Sequence, residues 1–330
     1  MGMARRVEDP AVPSILSYAH SERGRAIRRR LHLLTVLGPL YGRHLVRRPF
    51  ARTLRYVPGY RRASGLSNRH RQALYDSVLE CLLRAYFREL RARYSPTTGP
   101  MLTLLIDVMK HLDMYLDAAE TGGQIRAVAE ILDVDGIRGP YEAFKEFAAT
   151  HGQSEPVIRY LRNGFESHFP TYLGNMNRAT RTGDPAAILD MAKDDSGFEL
   201  RALMEMAALY NSTEPSDQAG RQVYAVGMVG KLADDMVDLK RDVRDGGINL
   251  LVTYVHQDRD EAASLASALA AGERLNIKWW RTNCPNAFAG FTHVLETYFE
   301  QITAPSMMDV ADLLLVPAAM GMDYDSRRKG

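Results

Sequence analysis

The sequence predicts an all-α protein: a single-domain bundle of helices around a central apolar cavity. Three observations carry that prediction. Apolar residues recur at helical spacing through most of the chain, and strand signals are scarce, with no Asn-Gly turn between alternating runs and no regular short-strand spacing. In addition, two helical stretches far apart in the chain carry acids four residues apart inside otherwise apolar patterns. At 330 residues, 46% hydrophobic and 25% charged, the chain has the composition of a soluble globular protein with a sizeable core. No internal repeat or interdomain linker is evident, so residues 21–330 read as one domain behind a loose segment, residues 1–20.

Taken in order, Ser21 to Arg48 reads as helical, bent near Gly38-Pro39. A Pro- and Gly-containing link leads to Ser67, a suitable N-cap for a helix through Tyr94 with Leu74, Val78, Leu82, Ala85 and Phe87 on its apolar side. The first acidic helix follows Ser95-Pro-Thr-Thr-Gly-Pro100 and stops at Gly122-Gly123. Shorter helices are expected around Ile125–Leu132 and Tyr141–Thr150. Glu155 to Arg181 is long and contains Pro170, which predicts a bend or break. Asp184-Pro185 pairs an N-cap with proline at the first helical position, and Asp194-Asp-Ser-Gly197 interrupts the helix that runs on to Tyr210. The second acidic helix starts near Ser216 or Asp217 and ends by Asp245-Gly246-Gly247. Three further helical stretches follow, around Asp258–Leu275, Lys278–Ile302 and Met307–Val316.

Charge is unevenly spread. Residues 1–100 hold twenty Arg, no Lys and six acids, a balance of +14, so the remaining 230 residues carry −12. Internal pairing of a basic N-terminal layer with the acidic remainder explains this most simply, and contact with an anionic membrane surface is the alternative. Nucleic acid is disfavoured, because the arginines are spread through apolar helical patterns without a binding motif. Two cysteines, Cys81 and Cys284, make no disulfide framework and no zinc spacing, which suits a reducing cytoplasm. The opening residues lack the apolar core of a signal peptide, and no run of about 18 apolar residues is present to span a membrane.

The acidic helices carry the chemistry. In Arg221 to Leu250, Asp234, Asp238 and Asp242 recur every four residues; at about 100° per residue they form one stripe on a helix. Like charges at that spacing destabilise a bare helix and call for a partner. Magnesium ions are one, since hard oxygen ligands suit them. The neighbouring Lys231, Lys240, Arg241 and Arg244 are another, and simple neutralisation stays open. Asp113 and Asp117, with Glu120 on the same face, form a second set 121 residues upstream. Facing one another across a cavity, the two pairs would hold metal ions that bind a diphosphate. Lys231, Arg241 and Arg244 are the nearest cations to grip it, with Arg178 and Arg181 more remote. An allylic cation left by departing diphosphate needs a dry cavity with aromatic walls, and Tyr115, Phe165, Phe169, Tyr172 and Tyr224 are candidates for that or for plain core. Gly227 and Gly230 allow either close helix packing or room for an isoprenoid tail. No histidine metal motif, Gly-rich phosphate loop or nucleophile elbow is present.

The stretch from Asp234 to Val255, DDMVDLKRDVRDGGINLLVTYV, resembles the second metal motif of the tetraprenyl-β-curcumene synthase family of class IB terpene synthases. Asp234, Asp238 and Asp242 match its acids, and Gly246-Gly247-Ile248-Asn249-Leu250 resembles its turn. Asp113-Met-Tyr-Leu-Asp117 is similar to the first DxxxD motif, and the stretch from Gly59 to Val78 to the N-terminal region. The chain departs from the pattern at Lys240, Arg241 and Ile248. The resemblance implies a class I isoprenoid synthase fold, Mg²⁺ as cofactor and a prenyl diphosphate substrate. It implies metal ligation by Asp113, Asp117, Asp234 and Asp238 with Asp242 in support, and diphosphate contacts from Lys231, Arg241, Arg244 and Asn249.

The expected activity is therefore that of a Mg²⁺-dependent terpene synthase acting on a linear polyprenyl diphosphate of roughly twenty carbons or more, with cyclisation or elimination of the allylic cation. A head-to-head prenyl transferase like squalene or phytoene synthase is the nearest rival, and a non-enzymatic helical protein binding anionic lipid or a partner through its Arg-rich N-terminal third is the third reading. A cytoplasmic location, with or without membrane contact, goes with all three.

Overall fold

The computed structural model describes residues 69–120, 131–132, 134, 136–273, 275 and 277–320. The expectations for residues 1–68, including the helix from Ser21 and the cap at Ser67, lie outside them, as do the Gly122-Gly123 stop and most of Ile125–Leu132. Among the described residues every regular element is helical and none is a strand. In chain order they are α1 (Arg69–Glu89), α2 (Thr98–Glu120), α3 (Arg138–His151), α4 (Ser154–Ser167), α5 (Phe169–Thr182) and α6 (Pro185–Ala192). A short π-helix (Lys193–Phe198) leads into α7 (Glu199–Tyr210), α8 (Asp217–Val237) and α9 (Leu239–Asp245). The remainder is α10 (Leu250–His256), α11 (Arg259–Ala270), α12 (Ile277–Asn283), α13 (Pro285–Phe299) and α14 (Pro305–Met320).

Local sequence explains the boundaries. The expected break at Pro170 falls at His168, which ends α4 and precedes α5, with the proline in the first turn where its missing N–H costs nothing. Asp184 caps α6 by accepting from the Ala187 amide at 3.3 Å, again with proline at the start. Ser216 caps α8 in the same way through Ala219. The stretch expected from Lys278 to Ile302 is two helices, because Pro285 cannot continue α12 and instead opens α13. The run after Asn249 is a helix of its own, α10.

α8 is the centre of the bundle. Five consecutive residues, Ala225 to Val229, are buried, so this helix is covered all round rather than on one stripe. It packs against α7, α10, α13, α14 and the π-helix. Its glycines permit the closest of these approaches: a Cβ on Gly227 would lie 2.3 Å from the Ser196 carbonyl oxygen in the π-helix, and one on Gly230 would meet Leu314 at 3.3 Å. Close packing, not room for a tail, is what these two positions provide. Gln222, also on α8, accepts from the amides of Thr303 and Ala304 and so holds the start of α14. Tyr86, Phe87, Phe144 and Phe291 are the bulkiest fully buried side chains around this axis. Cys284 is buried and its thiol is pushed up to about 11 by burial, which makes it an inert core group.

No helix among the described residues is long and apolar enough to cross a membrane. Most of the Arg-rich N-terminal third lies outside the described residues, and the membrane contact expected of it finds no support here.

Candidate active site

An apolar pocket opens beside the π-helix, with about 740 Å³ of empty space including its mouth. Met109 and Leu112 of α2 form one wall, and Tyr160 and Leu161 of α4 with Phe169 and Tyr172 of α5 form another. The floor comes from α7, and Asp194, Asp195 and Phe198 of the π-helix close the remaining side. α2 supplies the first acidic pair: Asp113 directly follows the pocket residue Leu112 and lies one helical turn beyond Met109. The side chains of Asp113 and Asp117 are outside the described residues; their backbones stand on α2.

On the other side of the π-helix stands the second acidic motif. It is not one continuous stripe: α8 ends at Val237, Asp238 leaves helical geometry with ψ at 1°, and α9 begins at Leu239. The four-residue period expected to run from Asp234 through Asp242 is thus bent in its middle, although the Asp238 and Asp242 amides still bond back to the carbonyls four residues earlier.

The acids of this motif have different environments. Asp234 is exposed, and the surrounding protein still raises its carboxyl above the ordinary value, with Lys231 pulling the other way. Asp238 is bound by Arg241 at 2.7 Å, and Asp242 by the same guanidinium at 3.3 Å. Asp242 also accepts from Asn249 Nδ2 at 2.8 Å.

Asp235, passed over by a four-residue reading, is the buried anchor of the motif. Its side chain is 2% exposed, Lys231 Nζ lies 3.0 Å from Oδ1, and the Leu250 amide donates to Oδ2 at 2.9 Å. Burial alone would lower the pKa of Lys231, but the Asp235 and Asp195 carboxylates outweigh it and hold the ammonium above its ordinary value.

Each cation expected to grip a diphosphate therefore has an acidic partner within the protein: Lys231 with Asp235, Arg241 with Asp238 and Asp242, and the exposed Arg244 with Asp245 at 2.7 Å. The more remote Arg178 binds Asp190 at 2.5 Å, and Arg181 is exposed at the end of α5. Asn249 is buried; its amide donates to the Asp235 carbonyl and to Asp242, and its oxygen caps α10 through the Val252 amide. It acts by tying α9 and α10 to the end of α8.

The π-helix joins pocket and acids. Asp194 points one oxygen at His168 Nε2, 3.1 Å away, and accepts from Asn175 Nδ2 with the other at 2.7 Å. Asp195 is held above the ordinary carboxylate range by burial, with Lys231 opposing. A six-residue π turn is the kind of irregularity that re-aims side chains, and here it puts two neighbouring acids on the pocket wall. Sequence showed Asp194-Asp-Ser-Gly197 only as an interruption, and nothing in a one-dimensional period marks a widened turn.

Of the candidate cation-facing aromatics, Phe169 and Tyr172 line the pocket. Tyr224 instead packs over Gly197 and against Tyr298, and Tyr115 packs against the core. The Phe165 side chain is outside the described residues.

The donor set suits a hard divalent cation. Asp194, Asp195 and Glu199 are the acids that line the apolar pocket, whereas Asp234, Asp238 and Asp242 are not among its lining residues, and Asp234 reaches solvent. Among the described residues no three His, Cys, Asp or Glu side chains converge on one point. An ion of the Mg²⁺ type would accordingly take one or two of these carboxylates and fill its octahedron with water and substrate oxygens.

A scan against protein-family models finds no match, and a search of curated proteins finds none. Solved structures do match. Geranylgeranyl pyrophosphate synthetase from Pyrococcus horikoshii Ot3 superposes with a TM-score of 0.55 at 12% identity, over 84% of this chain and 98% of that one. The corresponding synthetase from the archaeon Geoglobus acetivorans gives 0.48 at 14% identity, over 90% and 99%. The synthase from Corynebacterium glutamicum, complexed with isoprenyl diphosphate and magnesium, gives 0.45 at 11% identity, over 88% and 99%. The first of these alignments carries the architectural conclusion: the chain adopts the all-α isoprenyl diphosphate synthase fold.

Proposed function

We propose that this protein is a Mg²⁺-dependent class I terpene synthase that ionises a linear polyprenyl diphosphate and cyclises or eliminates from the resulting allylic cation. The observation that carries this reading is the apolar pocket, which has the first acidic helix on one wall and Asp195, beside Lys231 and the second acidic motif, on another. The fold likeness to prenyl diphosphate synthases supports the substrate class, and the resemblance of both acidic motifs to tetraprenyl-β-curcumene synthases supports the reaction type.

In this reading Asp113, Asp117, Asp234 and Asp238 hold the metals, with Asp242 in support. Bound there, Mg²⁺ supplies neutralisation of the charge that builds on the departing diphosphate. The residues themselves do the rest. Lys231, held charged between Asp235 and Asp195, offsets part of the negative charge at the polar end. Arg241 is half-exposed and can turn from Asp238 and Asp242 toward a diphosphate. Phe169 and Tyr172 keep water from the pocket and face the hydrocarbon.

A second reading, condensation of two prenyl diphosphates, draws its support from the same fold likeness, since the matched structure is a geranylgeranyl pyrophosphate synthetase. Incubation with one labelled prenyl diphosphate at a time, over a series of chain lengths, separates them. A hydrocarbon or alcohol of unchanged carbon number, lost with EDTA, is expected; a product containing two chains would establish the transferase, and no release of diphosphate at any length would refute both.

A further inference from the structure

The apolar pocket has two unlike ends, and the helix contacts along it tell them apart. α4 runs antiparallel to α7. The His168 ring at the end of α4 stacks on Phe198 just before α7, with centroids 3.6 Å apart. Tyr160 donates its hydroxyl to Glu205 in the middle of α7, and the Gln153 amide before α4 reaches the Tyr210 carbonyl at 3.3 Å. α2 starts from that last end too: Tyr210 donates to Thr97 Oγ1 at 2.9 Å, and the Ser95 amide donates to Asn211 Oδ1 at 2.6 Å. Met109 and Leu112 reach the pocket only farther along α2, just before Asp113. One end of the pocket, at the π-helix, therefore carries Asp194, Asp195 and Glu199. Tyr160 stands at the other.

Among the described residues, Tyr160 is the one that lines both this pocket and the hollow beyond it, a surface cleft of about 470 Å³ including open solvent. The cleft continues the same seam. Ala202 and Met206 of α7 face the pocket and Leu209, one turn on, faces the cleft; on α4, Gly164 faces the pocket and Pro156 the cleft. Tyr160 spans the seam between the two hollows and is fastened at its tip. Its acceptor Glu205 is buried, and Arg201 Nε holds the other Glu205 oxygen at 2.6 Å. A ring tethered at its hydroxyl as well as at its backbone is a fixed partition.

We infer that the Tyr160 ring, fastened by Glu205, is the stop that limits how long a prenyl chain this pocket accepts, and that the cleft beyond it is the space a longer chain would enter if the ring were removed. The inference rests on the proposal above only in placing a prenyl tail in this pocket, which both reactions considered there require. In that proposal the diphosphate sits at the π-helix end, where Asp195 faces Lys231 of α8 and Asp113 stands on α2. The hydrocarbon then extends along α7 toward Tyr160, and from Glu199 to Met206 that helix rises about 10 Å. Each isoprene unit that fits buries further apolar surface and tightens binding. The first that does not fit must fold back or displace a tethered ring. Gly164 is the complementary position: it lines the pocket one turn from Tyr160, and a Cβ there would meet nothing within 4 Å. A larger side chain at Gly164 would take up pocket space without pushing on the helices.

The test reads binding, not turnover. Wild type, Tyr160→Ala and Gly164→Leu are titrated by calorimetry, with Mg²⁺ present, against all-trans prenyl thiolodiphosphates, which resist ionisation, in a series that grows by one isoprene unit per step. Circular dichroism checks each fold. Wild-type affinity is expected to rise with length and then to fall about tenfold or more at the first chain past the stop. In Tyr160→Ala that limit should move longer by about one isoprene unit or more, and in Gly164→Leu shorter by about as much. Should Tyr160→Ala fail to fold, Tyr160→Leu, which keeps the seam apolar but removes the ring, takes its place with the same expectation. A limit that stays at the wild-type length in the folded Tyr160 variant overturns the inference, as does one that does not shorten in Gly164→Leu or a wild-type affinity that never falls with length. Binding of none of the chains overturns the prenyl diphosphate reading and this inference together. A limit that shifts as expected, with no diphosphate released from the ordinary diphosphate of the same length, supports the inference and overturns the terpene synthase reading alone.

Discussion

Lys231 and Asp235, one turn apart on α8, form a buried ion pair 3.0 Å long whose carboxylate also receives the Leu250 amide from α10. The pair joins the end of the central helix to the segment that follows the acidic motif. Breaking a buried pair by removing one partner strands the other charge, at a cost of about 3–5 kcal/mol. Lys231→Met should lower unfolding free energy by that order in chemical denaturation, while Lys231→Met combined with Asp235→Leu should recover much of it.

The same pair sets a pH limit. The pKa of Lys231 lies above its unfolded value of 10.5, so the folded protein keeps a proton that the unfolded chain has lost. That stabilisation is fully present below about pH 10.5 and disappears as pH climbs through the folded value. Thermal melts between pH 9 and 12 should show an alkaline decline in wild type that is shallower in Lys231→Met; equal slopes would count against it.

Gly227→Ala probes the seam between α8 and the π-helix. The new methyl would stand 2.3 Å from the Ser196 carbonyl oxygen and 3.2 Å from Gly197 Cα, both backbone atoms that cannot simply rotate away. Overpacking of this kind costs about 1–3 kcal/mol or more. Because Asp194 and Asp195 ride on the displaced segment, activity should fall further than stability alone explains, which measurement of both on one preparation would check. Gly246→Ala, at φ 72° with open space around it, should instead affect only local turn geometry, at about 1 kcal/mol.

Asn249→Ala removes a cap and two cross-links together. Loss of the N-cap alone is worth about 1 kcal/mol, and the Asp235 carbonyl and Asp242 carboxylate each lose a donor. A total of roughly 2–3 kcal/mol is expected, and Asn249→Asp, which keeps the cap but sets a buried carboxylate against the Asp242 carboxylate and the Asp235 carbonyl, should cost at least as much.

Asp234→Asn tests the proposed metal site directly. Asp234 is the exposed acid of the motif, so its neutral amide should fold normally while diphosphate release falls on the order of a hundredfold or more. Asp245→Asn, whose exposed carboxylate pairs only with Arg244 among the contacts described, should leave release within a few-fold of wild type. Equal effects of the two would argue against Asp234 as a ligand.

Much of this fold was legible because helix signals are local. Asp184-Pro185, Ser216 and Pro170 each mark a boundary through backbone hydrogen-bond chemistry that a sequence displays openly. The acidic motifs stood out because like charges at four-residue spacing are costly on a helix. What periodicity could not convey were features that violate it. Asp235 lies off the stripe and is therefore the buried member, the bend at Asp238 divides the stripe, and the π-helix gives Asp194 and Asp195 a direction that no 3.6-residue wheel predicts. Tyr160 was invisible as a stop as well, since Glu205, which fastens it, lies 45 positions away on another element.

An uninterrupted α-helix from Pro185 to Tyr210 would satisfy its backbone better than the widened turn does. Excising one residue from Lys193–Phe198 would heal the ladder and swing every preceding side chain about 100° relative to α7. Such a shortened chain should lose the pocket wall that Asp194 and Asp195 form, so the irregular turn keeps the shape of the pocket at the expense of helical regularity.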